Sequence, residues 1–279
     1  MTRKIFDCFI FNNEINLLKI RFNILNDYVD YFVICESKYD HNNKLKKFNF
    51  NINLFSKFKK KIIYIKITQP PKSNDPWINQ SNQRNKLMGG IEKANLEDYI
   101  IYSDVDEIPN PLKIKEFINS HYKFGIFMQY LFYYKLNLLS KNTYNEWEGS
   151  RICKKKYLKS FENLRTNIKK KNLRYKFYRI DKFYLEKNIK LINNGGWHFS
   201  YLMNAKEIIK KIKSSTHIEY NKKEYINPKT IEKKIKQRQD LFDRGDTFNK
   251  IKFTNKIYPK YLIKNKKIFK DLILSLIHI

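Results

Sequence analysis

The hydrophobic positions of the first half of the chain switch between two periods. Ile5–Phe11 is an apolar, aromatic run broken only by Asp7, the mark of a buried strand. Asn12-Asn13-Glu14 offers a cap and an acid for a helix start, and Ile15, Leu18, Phe22 and Leu25 then recur at helical spacing as far as Asn26-Asp27. Residues 31–35 return to the strand pattern and end at Glu36-Ser37, so strand, helix and strand form a βαβ unit. A polar connection studded with aromatics over 41–58 leads to a third strand, Ile62–Ile67. Pro70, Pro71 and Pro76 make 69–77 an irregular loop. Ser81 is the expected cap of a helix holding Leu87, Ile91 and Ala94, in which Gly89-Gly90 mark a close approach. Residues 99–102 predict a fourth buried strand that runs into three acids, and Asn110-Pro111 starts the next helix. Later segments predict β structure over 124–137, a loop over 142–151, a helix over 157–166 and a strand over 177–184. A sharp turn at Asn193-Asn194-Gly195-Gly196 and helices over 205–212 and 231–242 follow. Strands alternating with helices predict an α/β fold in one domain.

Composition changes this picture little. The 279 residues are 42% hydrophobic, enough for a full core, and seven Gly and seven Pro argue against long linkers. Lys and Arg exceed Asp and Glu by 57 − 27 = 30. Such an excess admits nucleic acid, anionic lipid or an acidic substrate as partner. The lysines are scattered, however, with only short runs such as 154–156 and 169–171, which reads as solvated surface. Cys8, Cys35 and Cys153 make no CxxC pair and predict core thiols. The N-terminal apolar run is too short for a signal peptide, and no long uncharged apolar stretch predicts a membrane span. A cytoplasmic location is therefore the expectation. Residues 251–279 read as a basic and apolar extension packing on a main domain of 1–250, with peripheral membrane contact left open for 272–279.

The chemistry gathers where the fourth strand ends, in Ser103-Asp104-Val105-Asp106-Glu107-Ile108-Pro109. Side chains alternate along a strand, so Asp104 and Asp106 lean to one side. Two carboxylates past a strand end make a hard-oxygen site for Mn²⁺ or Mg²⁺ that leaves positions for phosphate oxygens. Pro109 and Lys115, at the sixth and twelfth positions from Asp104, exclude an EF-hand. No GxGxxG, P-loop, GxSxG or HExxH occurs, and the five histidines show no zinc spacing. The alternative on charge alone is a basic nucleic-acid-binding protein, or a nuclease using the acidic cluster.

The acids do not stand alone. Asp7-Cys8-Phe9 with Phe11-Asn12-Asn13-Glu14, residues 30–37, Gln83-Arg84-Asn85, the SDVDEIP segment and Gly196-Trp197-His198-Phe199-Ser200 follow in order. This set resembles glycosyltransferase family 17 over roughly residues 5–245, and Asp104-Val105-Asp106 looks like the DxD motif of GT-A-type enzymes. The resemblance implies a GT-A-like, Rossmann-type mixed sheet flanked by helices. It also implies a nucleotide-sugar donor (UDP-GlcNAc), a glycan acceptor, inversion at the anomeric carbon and a divalent cation, Mn²⁺ first. Asp104, Asp106 and His198 are then the expected metal ligands, and Glu36, Gln83, Arg84 and Asp104 the donor-binding set. Trp147 and Trp197 are the expected acceptor platforms. Glu219, Glu107 and Glu148 are the candidates for the general base, with Glu219 preferred. No specific nucleic acid is expected.

Overall fold

The computed structural model describes residues 3–143, 146–174, 182 and 184–275. Its strands are β1 (Ile5–Phe11), β2 (Tyr31–Ser37), β3 (Ile62–Ile67), β4 (Tyr99–Asp104), β5 (Glu107–Pro109), β6 (Phe124–Tyr133), β7 (Leu138–Ser140), β8 (Trp147–Lys154), β9 (Ile189–Ile192), β10 (Gly196–Ser200) and β11 (Phe248–Lys250). Its helices are α1 (Ile15–Leu25), α2 (Pro76–Lys86), α3 (Pro111–Ile118), α4 (Phe161–Thr166), α5 (Ala205–Ser214), α6 (Pro228–Gln237) and α7 (Lys260–Lys264). The strands form one mixed sheet with a main path β11-β7-β6-β8-β4-β1-β2-β3. β3, β2, β1 and β4 run parallel, and β8 is antiparallel to both β4 and β6. β10 pairs parallel with the far half of β6 and antiparallel with β5.

The period of two along each strand divides the core between the two faces of the sheet. Phe9, Phe32, Ile34 and Ile101 join α1 in one cluster, where the Phe22 ring packs 4.4 Å from Phe32 and 5.1 Å from Phe55. Cys8, Val33, Cys35, Ile100 and Tyr102 face the other side. There Gly90 lies so close to β2 that a Cβ would stand 2.2 Å from Val33 Cγ1. A third cluster packs α5 and α6 against Tyr133, Tyr134 and Phe248. Tyr258, Leu262 and Phe269, from the C-terminal extension, are buried in the first cluster. All three cysteines are buried and free. No helix among the described residues is long and apolar enough to cross a membrane.

Three elements differ most from the pattern reading, and the helix expected over 157–166 is shorter, Phe161–Thr166. The second helix, α2, starts at Pro76 rather than Ser81, because Asp75 Oδ1 accepts the Trp77 N–H at 2.8 Å and Pro76 occupies the first turn, and it ends at Lys86, before Leu87, Ile91 and Ala94. The stretch read as a loop over 142–151 contributes most of β8, whose polar Glu148 and Ser150 disguise a strand inserted between β4 and β6. The last long helix is α6, three residues earlier than predicted, capped by Asn227 and closed by Arg238 at φ 57°. The strand expected over 177–184 falls largely outside the described residues.

Candidate active site

The carboxyl ends of β1, β2 and β4 open onto one cleft of about 470 Å³. From β1 the chain proceeds outward to β2 and β3 on one side, while β4 lies on the other. The cleft therefore sits at the topological switch point, where open α/β sheets bind ligands.

The acidic turn between β4 and β5 is fixed by a buried ion pair. Asp7 on β1 and Arg21 on α1 are both 0% exposed, with Arg21 Nε 2.7 Å from Asp7 Oδ2. Arg21 Nη1 then donates to the Glu107 carbonyl at 2.7 Å and reaches the Asp104 and Val105 carbonyls at 3.4 Å. The guanidinium also lies over the Phe9 ring, 4.5 Å from its centroid. One planar fork thus holds the backbone that presents the acids.

Each acid of the turn meets a cation. Asp104 Oδ2 accepts from Arg165 Nη2 at 2.8 Å, and its Oδ1 accepts from the Tyr102 hydroxyl at 3.0 Å with Arg84 Nη2 at 3.7 Å. Burial alone would raise the Asp104 pKa, but Arg165 and Arg84 overcome it and hold the group below the usual carboxylate range. Asp106 Oδ2 accepts from Lys211 Nζ at 3.0 Å. Burial again opposes ionisation, and Lys211 and His198 hold Asp106 well below the usual range. Lys211 is raised in return, since Asp106 and Glu14 outweigh its own desolvation. Glu107, 1% exposed, accepts from both terminal nitrogens of Arg165 and from Trp147 Nε1 at 2.9 Å.

His198 arrives through the pairing of β10 with β5, in which His198 stands opposite Glu107 and Phe199 N donates to the Asp106 carbonyl at 2.8 Å. The close approach needs glycine. Gly196 has φ 137°, and a Cβ there would meet the Ile108 carbonyl oxygen at 2.1 Å. His198 stacks on Trp147, ring centroids 4.5 Å apart, and its Nδ1 is buried without a hydrogen-bond partner. Its Nε2 faces Asp106 Oδ1 at 3.7 Å, beyond hydrogen-bond range. Two ligands at about 2.1 Å from one ion stand roughly 3–4 Å apart, so this pair fits a divalent cation. No group of three or more His, Cys, Asp or Glu side chains suited to a metal converges among the described residues. The donor set therefore suits an ion that keeps positions for water and phosphate oxygens.

The other sequence candidates separate. Gln83 and Arg84 line the cleft. Glu36 does not: it is fully buried, accepting from the Asn49 and Phe50 N–H groups at 2.7 and 3.1 Å and from Tyr64 and Lys46. It ties the connection after β2 to the sheet, and Lys46 alone carries that network to the cleft. Trp147 lines the cleft, whereas Trp197 is 5% exposed in the core and donates to the Ile257 carbonyl at 2.6 Å. Glu148 pairs with Arg151 at 3.2 Å and lines a smaller neighbouring cavity. Glu219 stands exposed outside the cleft lining, but its Oε1 is 2.7 Å from Nδ1 of His217, which lines it.

Pattern reading missed Arg165, Lys211, His41, His217 and Trp77, all of the cleft lining. One usable signal existed for Arg165. The chain prefers lysine, and only nine of its 57 cationic residues are arginine. Arginine retained in such a background points to bidentate carboxylate pairing, as Arg21 and Arg165 show. Lys211 carried no such mark among the lysines of α5.

The sequence model of glycosyltransferase family 17 matches residues 1–273. The chain belongs to that family. It is 32% identical over 117 residues to the β-1,4-mannosyl-glycoprotein 4-β-N-acetylglucosaminyltransferases of Rattus norvegicus and Homo sapiens. Those matches take in 38% of this chain and span 22% of each relative. Among solved structures, TarS 1–349 of S. aureus aligns with a TM-score of 0.37 at 11% identity, covering 84% of this chain and 72% of that one. A 4-diphosphocytidyl-2C-methyl-D-erythritol synthase aligns with 0.34 at 14%, covering 56% and 77%.

Proposed function

We propose that this chain is a metal-dependent, inverting glycosyltransferase of GT-A type, moving GlcNAc from UDP-GlcNAc onto a glycan hydroxyl. The observation that carries the reading is the pairing of Asp106 with His198 across 3.7 Å, in a cleft that also holds Arg84, Arg165 and Lys211. The names of the relatives support the sugar and the acceptor class. Asp106 and His198 would hold the cation, Mn²⁺ or Mg²⁺, with Asp104 beside it. When bound, it supplies Lewis-acid neutralisation of the diphosphate leaving group. Lys211 and Arg84 add fixed positive charge to that diphosphate, while Arg165 keeps Asp104 and Glu107 in place. Calorimetric titration with UDP, GDP and CMP in the presence of Mn²⁺ tests the donor. UDP is expected to bind tightest, and tighter binding of GDP counts decisively against this assignment.

Single displacement needs a base for the acceptor hydroxyl. Glu107 is fully engaged by Arg165, Trp147 and the Asp104 N–H, and Glu148 lies in the smaller cavity. We assign proton removal to His217 Nε2, with Glu219 holding the ring through Nδ1. The Trp77 indole, 49% exposed and edge-on to His217 at 4.8 Å, gives an acceptor sugar an apolar face beside that nitrogen. His217→Gln is expected to lower kcat about 10²-fold and Glu219→Gln less, with UDP affinity unchanged. Wild-type kcat in both variants would remove the pair from the mechanism.

A further inference from the structure

We propose that His41 reads the base of the donor, its Nδ1 accepting a hydrogen bond from the imide N–H of uracil. The inference rests on the nucleotide-sugar reading of the cleft and adds the residue and atom that select the base.

Gln83, 7% exposed, directs its Nε2 to the Cys35 carbonyl oxygen at 3.2 Å. That oxygen can only accept, so it settles which way the amide lies. Gln83 Oε1 therefore faces His41 Nε2, at 3.0 Å, and the imidazole must carry its proton there. Asn79, 5% exposed, donates to the His41 carbonyl at 3.0 Å and fixes the backbone as well. Burial lowers the affinity of the ring for a second proton; the Gln83 bond works against this and the Arg84 charge adds to it, with a net lowering. His41 is thus neutral near pH 7, with its lone pair on Nδ1. Nδ1 has no hydrogen-bond partner among the described residues, and His41 lines the cleft. His41 Nδ1 is thus the polar atom on this side of the cleft left for a ligand to satisfy.

Position decides which part of the ligand that is. The acids end β4, and His41 follows the end of β2, two strands away with β1 between them. Neighbouring strands stand about 4.8 Å apart, so the ends of β4 and β2 lie roughly 10 Å apart, the reach from a nucleotide's diphosphate to its base. A fixed acceptor there meets a donor in uracil, which carries N3–H. In cytosine the same ring atom is a lone pair, which repels it. The carbonyl of Cys35 thus selects the base through Gln83 and His41.

The test is calorimetric, on the full chain with Mn²⁺, using UDP, CDP, N3-methyl-UDP and 2′-deoxy-UDP against wild type and His41→Phe. Wild type is expected to bind UDP at least about tenfold tighter than CDP or N3-methyl-UDP, as for a polar group left unpaired. In His41→Phe, with its circular dichroism unchanged, UDP should weaken to the level of N3-methyl-UDP. Equal wild-type binding of UDP and N3-methyl-UDP overturns the inference without touching the donor reading, and it needs no folded variant. A penalty for 2′-deoxy-UDP that vanishes in His41→Phe puts the ring on the ribose and also overturns it. Wild type that binds no nucleotide diphosphate defeats both readings.

Discussion

Asp106→Asn is expected to lower sugar transfer by roughly 10³-fold while the chain stays folded. The carboxylate faces both His198 Nε2 and Lys211 Nζ. An amide keeps its volume and loses its charge, so the variant removes the anionic half of the proposed cation site. Lys211 keeps a second acid, Glu14, at 3.5 Å, which limits the structural damage. Excess EDTA should depress the wild type by a similar factor and leave the variant unchanged. The pH dependence separates this from a simple titration. Asp106 is held well below the usual carboxylate range, so it stays ionised through neutral and mildly acid pH. The stability it contributes is present above its unfolded value near 3.9 and is lost only as pH falls through the depressed folded value. An acid limb above about pH 5 must then come from another group. Wild-type turnover in Asp106→Asn, or full activity in EDTA, would sink the metal assignment.

The largest loss of stability is expected at a pair that never touches the cleft. Arg21→Met should destabilise the fold by about 3–5 kcal/mol, because Asp7 is left charged and unpaired in the core. Asp7→Leu should cost a similar amount by stranding the guanidinium. The double variant should recover much of either loss, since two apolar side chains of similar volume carry no desolvation penalty. Activity should not recover with it. Arg21 also holds the carbonyls of Asp104, Val105 and Glu107, and methionine offers them no donor. Urea unfolding with turnover on the same samples checks both halves. Single variants within about 1 kcal/mol of wild type would refute the buried-pair argument.

Much of the fold was legible because its strands are bounded by strong local signals. β1 and β3 have the limits that the apolar runs indicate, and α3 is capped by the Asn110-Pro111 start. β8 was not legible. Its pattern is polar where it pairs beside Gln129, and only neighbours on both sides make it a strand. The same contrast holds in the cleft. Asp104 and Asp106 were visible as a strand-end pair, and His198 as a histidine after a glycine turn. That Glu36 and Trp197 are occupied elsewhere is decided by partners 13 and 60 residues away in the chain, which no local pattern carries.

By itself the sequence determined the α/β alternation, the strand-end position of the acids and the family to which the chain belongs. These depend on period, on caps and on short ordered motifs, all local properties. The tertiary structure decided which charges meet. Arg165 reaches Asp104 across 61 residues, Lys211 reaches Asp106 across 105, and Arg21 reaches the Glu107 carbonyl across 86. In a chain with 57 cationic residues, any of them could pair with an acid on charge alone. Only burial selects among them, because removing a carboxylate from water is tolerable only where a donor stands within hydrogen-bond reach, and that geometry exists only once the sheet has formed.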